Sequence, residues 1–293
     1  MFCDLHAHST ASDGTDPPEA LARLALAAGL HAFALTDHDT TRGLAPCAHA
    51  AHELGLDFIP GIEVSADPAA ASEGLPLPCQ GTLHILGLFV RDDDPMLESV
   101  AEQMTRARDE RNPAIVHKLR GLGIEIDYAE VERLAAEQGT RAIGRPHIAQ
   151  ALVAKGVVPS VKEAFARYLG RGAAAYERRD QLHPAAAIDA IHHAGGLAVL
   201  AHPVQLGLLT PQRGEPQLQR FLDNLAAWGL DGIEALHTDH GPEHARLFFD
   251  LAQRYAWLTT GGSDYHGTRK PAALGCQGVP LAFHRALRDR LDA

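Results

Sequence analysis

The chain has 293 residues and a formal net charge of −11, with 46% hydrophobic and 22% charged residues. These values suit a globular chain with one large core and exclude a disordered or fibrous one. The acidity argues against broad adhesion to nucleic acid, but leaves room for a phosphorylated substrate where carboxylates are committed to cations.

No run is apolar enough to span a bilayer, and no secretory leader is read ahead of the first strand. Four scattered cysteines (Cys3, Cys47, Cys79 and Cys276) form no C-x-x-C pair, so a disulfide framework is not expected. A reducing, cytoplasmic location follows as the expectation.

The first strand opens at Phe2-Cys3-Asp4-Leu5 and runs into His6 and His8, whose spacing of two aims both imidazoles at one side. Asp13 follows in a loop turned by Gly14. Pro17-Pro18-Glu19 starts a helix that Gly29 ends. His31 to Thr36 reads as a buried strand with Asp37-His38-Asp39 at its end. A helix over about 41–54 stops at Gly55, and Asp57 to Val64 is a strand carrying Glu63. Residues 67–81 read as a loop, and 82–89 as a strand in which His84 lies early and is expected to point inward.

From Pro95 to about Arg179 helices replace the alternation, with capping boxes at Asp127-x-x-Glu130 and Ser160-x-x-Glu163. Residues 95–183 are therefore expected to be an inserted helical substrate-binding domain, and 1–94 with 184–293 the barrel and its metal site. The alternation resumes with a helix at 184–194 and a strand at 197–201 ending in His202-Pro203. A strand at 231–235 precedes His237 and His240, and the strand Trp257 to Gly262 precedes Ser263-Asp264-Tyr265-His266. A closing helix covers about 282–291. Some seven strands, mostly separated by helices, imply an α/β fold, a parallel barrel-like sheet with nearly every polar residue of interest at a strand C-terminus.

His6, His8, Asp13, His38, Glu63, His84, His202, Asp264 and His266 form the candidate metal set. Singly, each has an ordinary reading: His38 and Asp264 as helix caps, His84 as a core histidine, His202-Pro203 as a turn. Together they exceed what one four- or five-coordinate ion needs and suit two or three, with Glu63 placed to bridge.

The pieces Asp4-Leu5-His6-Ala7-His8-Ser9, Ser12-Asp13-Gly14, Thr36-Asp37-His38-Asp39, Gly61-Ile62-Glu63, His84-Ile85-Leu86-Gly87, Ala201-His202-Pro203 and Ser263-Asp264-Tyr265-His266-Gly267 resemble the PHP (polymerase and histidinol phosphatase) domain phosphoesterases. They span the chain in the family's order. The resemblance implies a distorted (β/α)₇ TIM-like barrel with a trinuclear centre. It implies one ion on His6, His8, Glu63 and Asp264, a second on Glu63, His84 and His202, and a third on Asp13, His38 and His266. Mn²⁺ is the expected ion, with Zn²⁺ or Fe²⁺ as alternatives, since mixed His/carboxylate sites accept all three. Glu63, His202 and Asp264 are the residues expected to carry catalysis. Such ions acidify water and clamp phosphoryl oxygens.

The insertion, with Gly144-Arg145-Pro146-His147 and Tyr168-Leu169-Gly170-Arg171-Gly172, resembles the branch of nucleoside 3′,5′-bisphosphate phosphatases and 5′-to-3′ exoribonucleases. Ser12-Asp13-Gly14 stands where histidinol-phosphate phosphatases carry Cys-x-His, which lowers that alternative. A non-catalytic nucleotide- or metal-binding module is disfavoured by the intact ligand set. The implied activity is removal of a phosphate, the 3′ one, from bisphosphates such as pAp, extending to short RNA. No membrane or protein partner is expected. Arg145 is the expected anchor for a second phosphate, because a guanidinium forks onto phosphate. His147 and Lys155 are secondary, and His237 is a further substrate-binding candidate and one candidate for a general acid that the residues leave unassigned, with a surface histidine as its ordinary reading. Arg178-Arg179 is expected to be a solvated pair unless an oligonucleotide engages it.

Overall fold

The computed structural model describes residues 1–72, 82–137, 139–140, 142–207 and 216–293. Eight strands form one sheet: β1 Phe2–Asp4, β2 Ala32–Leu35, β3 Asp57–Ala66, β4 Leu83–Leu88, β5 Leu197–Leu200, β6 Gly232–His237, β7 Leu258–Gly262 and β8 Val279–Pro280, in the order β7-β6-β5-β4-β3-β2-β1-β8. The helices are α1 Pro18–Ala27, α2 Leu44–Glu53, α3 Pro68–Ala71, α4 Pro95–Gly121, α5 Tyr128–Glu137, α6 Arg145–Ala154, α7 Val161–Ala164, α8 Pro184–His193, α9 Pro216–Ala227, α10 Pro242–Tyr255 and α11 Leu281–Leu291. Beyond β1 and β7 the chain closes the sheet on itself. Leu5 N donates to Gly261 O (3.1 Å), Asp264 N to His6 O (3.0 Å) and His8 N to Tyr265 O (2.8 Å). The result is a barrel, with β8 as a short antiparallel addition to β1.

Side-chain parity decides what each strand presents. Phe33, Leu35, Val64, Ile85, Ala198 and Leu200 pack with the surrounding helices in one core cluster. The alternate residues Ala32, Ala34, Ile59, Leu86, Leu88 and Val199 form a second cluster of strand side chains that Leu287 of α11 joins. Glu63 shares the parity of Ile59, and His84 that of Leu86, so both side chains point away from the helices.

Besides β8, one strand departs from the expected parallel arrangement. β4 runs antiparallel to both β3 and β5, with Ser65 opposite His84 and Glu63 opposite Leu86. The reversal brings the start of β4 beside the end of β3. An early strand residue thereby reaches the face where the other strands end, which explains the anomalous position of His84. The sequence reading also passed over α9, α10 and β8, and α3 is a helix within the stretch read as loop; residues 73–81 of that stretch, Cys79 included, lie outside the described residues. Cys3, Cys47 and Cys276 are free. No helix among the described residues is long and apolar enough to cross a membrane.

Between β4 and β5 the described chain is helical. Asp94 caps α4 by accepting from Met96 N and Leu97 N (3.1 and 3.2 Å), which satisfies two otherwise orphaned donors. This helix is roughly 40 Å long at 1.5 Å per residue. Leu97, Val100 and Met104 near its start pack on the barrel's helices. Ile115, Val116 and Leu119 near its end pack instead with Val131, Ile148, Leu152 and Leu169 in a separate cluster. Arg108, Arg111 and Asn112 fall between these two anchorages and are buried.

Candidate metal centre and anion cavity

His6 and His8 leave β1 side by side, with their Nε2 atoms 3.1 Å apart. The Nδ1 of His6 lies 3.2 Å from Glu234 Oε1. A proton on Nδ1 satisfies that carboxylate and leaves the Nε2 lone pair facing the cluster. Glu63 Oε2 stands 3.2 Å from His8 Nε2 and 3.5 Å from His6 Nε2. Asp264 Oδ1 completes the group at 3.3 and 3.6 Å from the same nitrogens. The other Glu63 oxygen faces a different set: Oε1 is 2.8 Å from His202 Nε2 and 3.0 Å from His84 Nδ1, which are 3.2 Å from each other. Further along, Asp13 Oδ1 lies 3.3 Å from His266 Nε2 and 3.9 Å from His38 Nε2.

Ligands bonded to one cation at 2.0–2.2 Å sit about 3–3.5 Å apart, and the spacings within the first two groups are of that size. Two oxygens decide the matter further. Asp13 Oδ1 and Glu63 Oε2 are buried and make no hydrogen bond, a costly state for a carboxylate that a cation relieves. The imidazoles around them also respond to the crowding. Burial pushes His84 and His266 down to about 4, so these rings are neutral, as ligands must be. Burial opposes protonation of His8 as well, but Asp264 and Glu63 outweigh it and hold the ring at about 9. A proton there stands in for positive charge that a divalent cation would supply. The donor set of imidazole and carboxylate therefore fits divalent cations.

Supporting contacts fix these ligands. Asp37 accepts from Ser9 N (2.8 Å), Ser9 Oγ (2.6 Å) and Ser12 Oγ (2.5 Å), holding the loop that carries Asp13. A Cβ at Gly14 would sit 2.5 Å from His8 O, so only glycine lets that loop close. Asp264 has a positive φ of 52°, and its Oδ2 takes Lys270 Nζ at 2.5 Å. His237 Nε2 lies 3.4 Å from the same oxygen. Its Nδ1 accepts the Asp239 amide (3.0 Å). His6, His237 and Asp264 thus form a further group with metal-ligand spacing.

A cavity of about 480 Å³ opens on this cluster. Asp13, His38, His84, His266 and Lys270 form its barrel side; Arg108, Arg111, Arg145, Phe165 and Arg179 form the opposite wall. Asp39 joins the two sides. It accepts from Arg108 Nη2 (2.5 Å) and from both terminal nitrogens of Arg179 (3.2 Å). Burial disfavours its charge, yet Arg179 and Arg108 hold the carboxyl well below the usual range. In a chain of net charge −11, this wall is strongly positive.

The PHP domain family model matches residues 4–170. A Haemophilus influenzae protein named 5′-3′ exoribonuclease is 32% identical over 263 residues, covering 90% of this chain and 89% of that one. An Eggerthella lenta phosphoribosyl 1,2-cyclic phosphate 1,2-diphosphodiesterase is 34% identical, covering 91% and 95%. A Chromobacterium violaceum 3′,5′-nucleoside bisphosphate phosphatase is 32% identical, covering 90% and 86%.

The chain belongs to the PHP domain family.

A solved Bifidobacterium adolescentis structure, described as a metal-dependent phosphoesterase, matches with a TM-score of 0.83 and 32% identity, over 98% of this chain and 96% of that one. The chain is accordingly a phosphoesterase, a metal-binding hydrolase.

Within this PHP site the structure brings the nine expected ligands together and Arg145 to the cavity wall. It does not bring the other expected anchors there. Lys155 ends α6 and pairs with Glu130 at 3.0 Å, because three helical turns from Arg145 carry it off the wall. His147 is buried, and its Nδ1 accepts the Gly144 amide (3.0 Å), committing it to the start of α6. His237 is 1% exposed, not a surface histidine. The expected solvated pair splits: Arg178 reaches Asp67 at 3.0 Å while Arg179 is drawn onto Asp39. Sequence reasoning missed Glu234, Arg108, Arg111 and Lys270. For Glu234 a signal existed, a carboxylate inside the apolar run Gly232-Ile233-Glu234-Ala235-Leu236.

Proposed function

We propose that this PHP enzyme hydrolyses nucleoside 3′,5′-bisphosphates at the 3′-phosphate, and that short 5′-phosphorylated RNA is a related substrate. The observation that carries this reading is the arginine wall facing the ligand cluster across one cavity, which gives a second phosphate its own anchorage. The names of the bisphosphate phosphatase and exoribonuclease relatives point the same way.

In this reading three divalent ions, Mn²⁺ foremost, are held by His6, His8, Glu63 and Asp264; by Glu63, His84 and His202; and by Asp13, His38 and His266. Ions held there supply acidification of water and neutralisation of phosphoryl charge. The chain's own residues do the rest. Glu63 turns one oxygen to each of two groups and so sets their separation. Glu234 holds His6 in its ligating tautomer and ties the His202 backbone amide at 2.7 Å. Lys270 and His237 fix Asp264. Arg145 orients the substrate through its second phosphate, and Val161 and Phe165 supply apolar wall. The helical stretch 95–183 thus acts as the specificity element, and the barrel as the source of reactivity.

Phosphate release from adenosine 3′,5′-bisphosphate and from an aryl phosphate tests this. Charge-assisted hydrogen bonds are worth roughly 1.5–3 kcal/mol, or one to two powers of ten. Arg145→Ala is expected to lower the kcat/KM ratio of bisphosphate to aryl phosphate by about that factor, and Lys155→Ala to leave the ratio alone. Equal loss on both substrates in Arg145→Ala overturns the role of the wall.

A further inference from the structure

Asp13 is the member of the candidate ligand set that stands farthest from its strand. It lies nine residues past β1, whereas His38 lies three past β2 and His266 four past β7. Its Oδ1 is nonetheless buried and held 3.3 Å from His266 Nε2. A carboxylate that far along a loop keeps its place only if the loop is tethered, because every untethered residue carries conformational entropy. The tethers come from two directions. From the barrel, Asp37 accepts from Ser9 N and Ser12 Oγ. From the helical stretch, Thr140 Oγ1 donates to Ser12 O at 2.9 Å, across 128 residues of sequence.

That carbonyl shares a planar peptide unit with the Asp13 nitrogen, so the bond helps to fix the direction in which the Asp13 side chain leaves the backbone. The hydroxyl accepts the Ala142 amide at 3.1 Å, and its single proton goes to Ser12 O. Thr140 is itself held in place. It is 2% exposed, and its amide donates to Ala135 O (3.1 Å) where α5 ends. Ile143 O accepts Asn112 Nδ2 of α4 at 2.7 Å, and α6 begins at Arg145. The hydroxyl thus joins the Asp13 loop to α4, α5 and α6, which share a core cluster of their own. Ser12, Asp13, Ala142 and Gly144 line the cavity together.

We infer that Thr140 is a positioning residue for the cation group of Asp13, His38 and His266, and that through it the helical stretch completes the ligand geometry of the barrel, a role that rests on the three-ion reading above. Partners that orient a metal ligand carry about 10–100-fold in affinity. Thr140→Val keeps the shape of the side chain but takes the partner from both Ser12 O and the Ala142 amide. The coupling is reciprocal by linkage, so an ion on Asp13 also steadies Thr140 and Ala142.

Calorimetric titration of metal-stripped protein with Mn²⁺ is the test. Thr140→Val is expected to weaken one of the three equivalents by about tenfold and to leave the other two as in wild type. Thr140→Ser returns the hydroxyl and is expected to bring that equivalent back to within about threefold of wild type. Wild-type affinity for every equivalent in Thr140→Val, or equal weakening of all three, overturns the inference. Asp13→Ala is titrated beside these variants. If it keeps every equivalent, the three-ion reading falls and the role of Thr140 with it. If it loses one while Thr140→Val loses no affinity, only the role of Thr140 falls. Should Thr140→Val fail to fold, hydrogen exchange in wild type decides. Saturating Mn²⁺ is expected to slow exchange of the Ala142 amide about tenfold in wild type and not in Asp13→Ala. Equal exchange with and without Mn²⁺ in wild type overturns the inference.

Discussion

Asp39→Asn is the most informative single perturbation of the cavity. The carboxylate is buried and serves five donors: Ser65 N (2.8 Å), Ser65 Oγ (3.1 Å), Arg108 Nη2 (2.5 Å) and both Arg179 terminal nitrogens (3.2 Å each). An asparagine keeps an oxygen for Ser65 N, but turns an NH₂ toward two guanidiniums. At an effective dielectric of about 20, a charge pair near 3 Å is worth about 5 kcal/mol gross. Breaking a buried pair by removing one partner costs about 3–5 kcal/mol net, because the other charge stays buried. For a chain of this size that corresponds to a fall in Tm of roughly 6 to 20 °C. Thermal unfolding in chloride and in sulfate is the assay. Sulfate can enter the cavity and supply the missing negative charge, so the deficit should shrink in sulfate beyond the general stabilisation seen for wild type. A deficit below about 1 kcal/mol, or one indifferent to sulfate, would refute the view of Asp39 as the charge that holds the wall to the barrel.

Glu63→Gln should lower turnover by several orders of magnitude, on the scale of losing an activated nucleophile; near-normal rates would show that it does not bridge. Glu234→Gln should weaken metal retention about 10–100-fold. With Oε2 bound to the His202 amide, the new NH₂ must face His6 Nδ1, which drives the ring's proton onto Nε2; unchanged retention in a chelator titration would count against this. His192 is raised by its 2.8 Å hydrogen bond to Asp231, with burial opposing. The pair's contribution is full below the ordinary histidine pKa and is lost as pH rises through the raised value. His192→Gln should therefore cost under about 1 kcal/mol at pH 5.5 and nothing near pH 9, since the pair is partly exposed. A deficit that grows with pH would reverse that assignment.

The clustering of the candidate ligands was legible because each member sits at a sequence landmark. His38, His202 and Asp264 follow the last apolar residue of a strand, where barrel side chains converge whatever the helices between them do. His84 was the partial exception, because β4 runs antiparallel to its neighbours and period-2 patterning is blind to direction. The anion wall was illegible for another reason. Arg108 and Arg111 lie on a long charged helix whose arginines read as a solvent face, and only the packing of its two ends on different clusters buries its middle. Lys155 failed conversely: its spacing from Arg145 was read without the helical rotation and rise that carry it to Glu130. Arg145 itself was found because Gly144 and Pro146 confine it at a helix start, a local signal that survives folding.

The number of ions the centre needs is the most direct test of a trinuclear site. Metal-stripped protein titrated with Mn²⁺ should bind three equivalents per chain, with phosphate release from adenosine 3′,5′-bisphosphate saturating only as the last is added, and Asp13→Ala should bind one fewer. Saturation of both binding and phosphate release at a single equivalent, unchanged in Asp13→Ala, would contradict it.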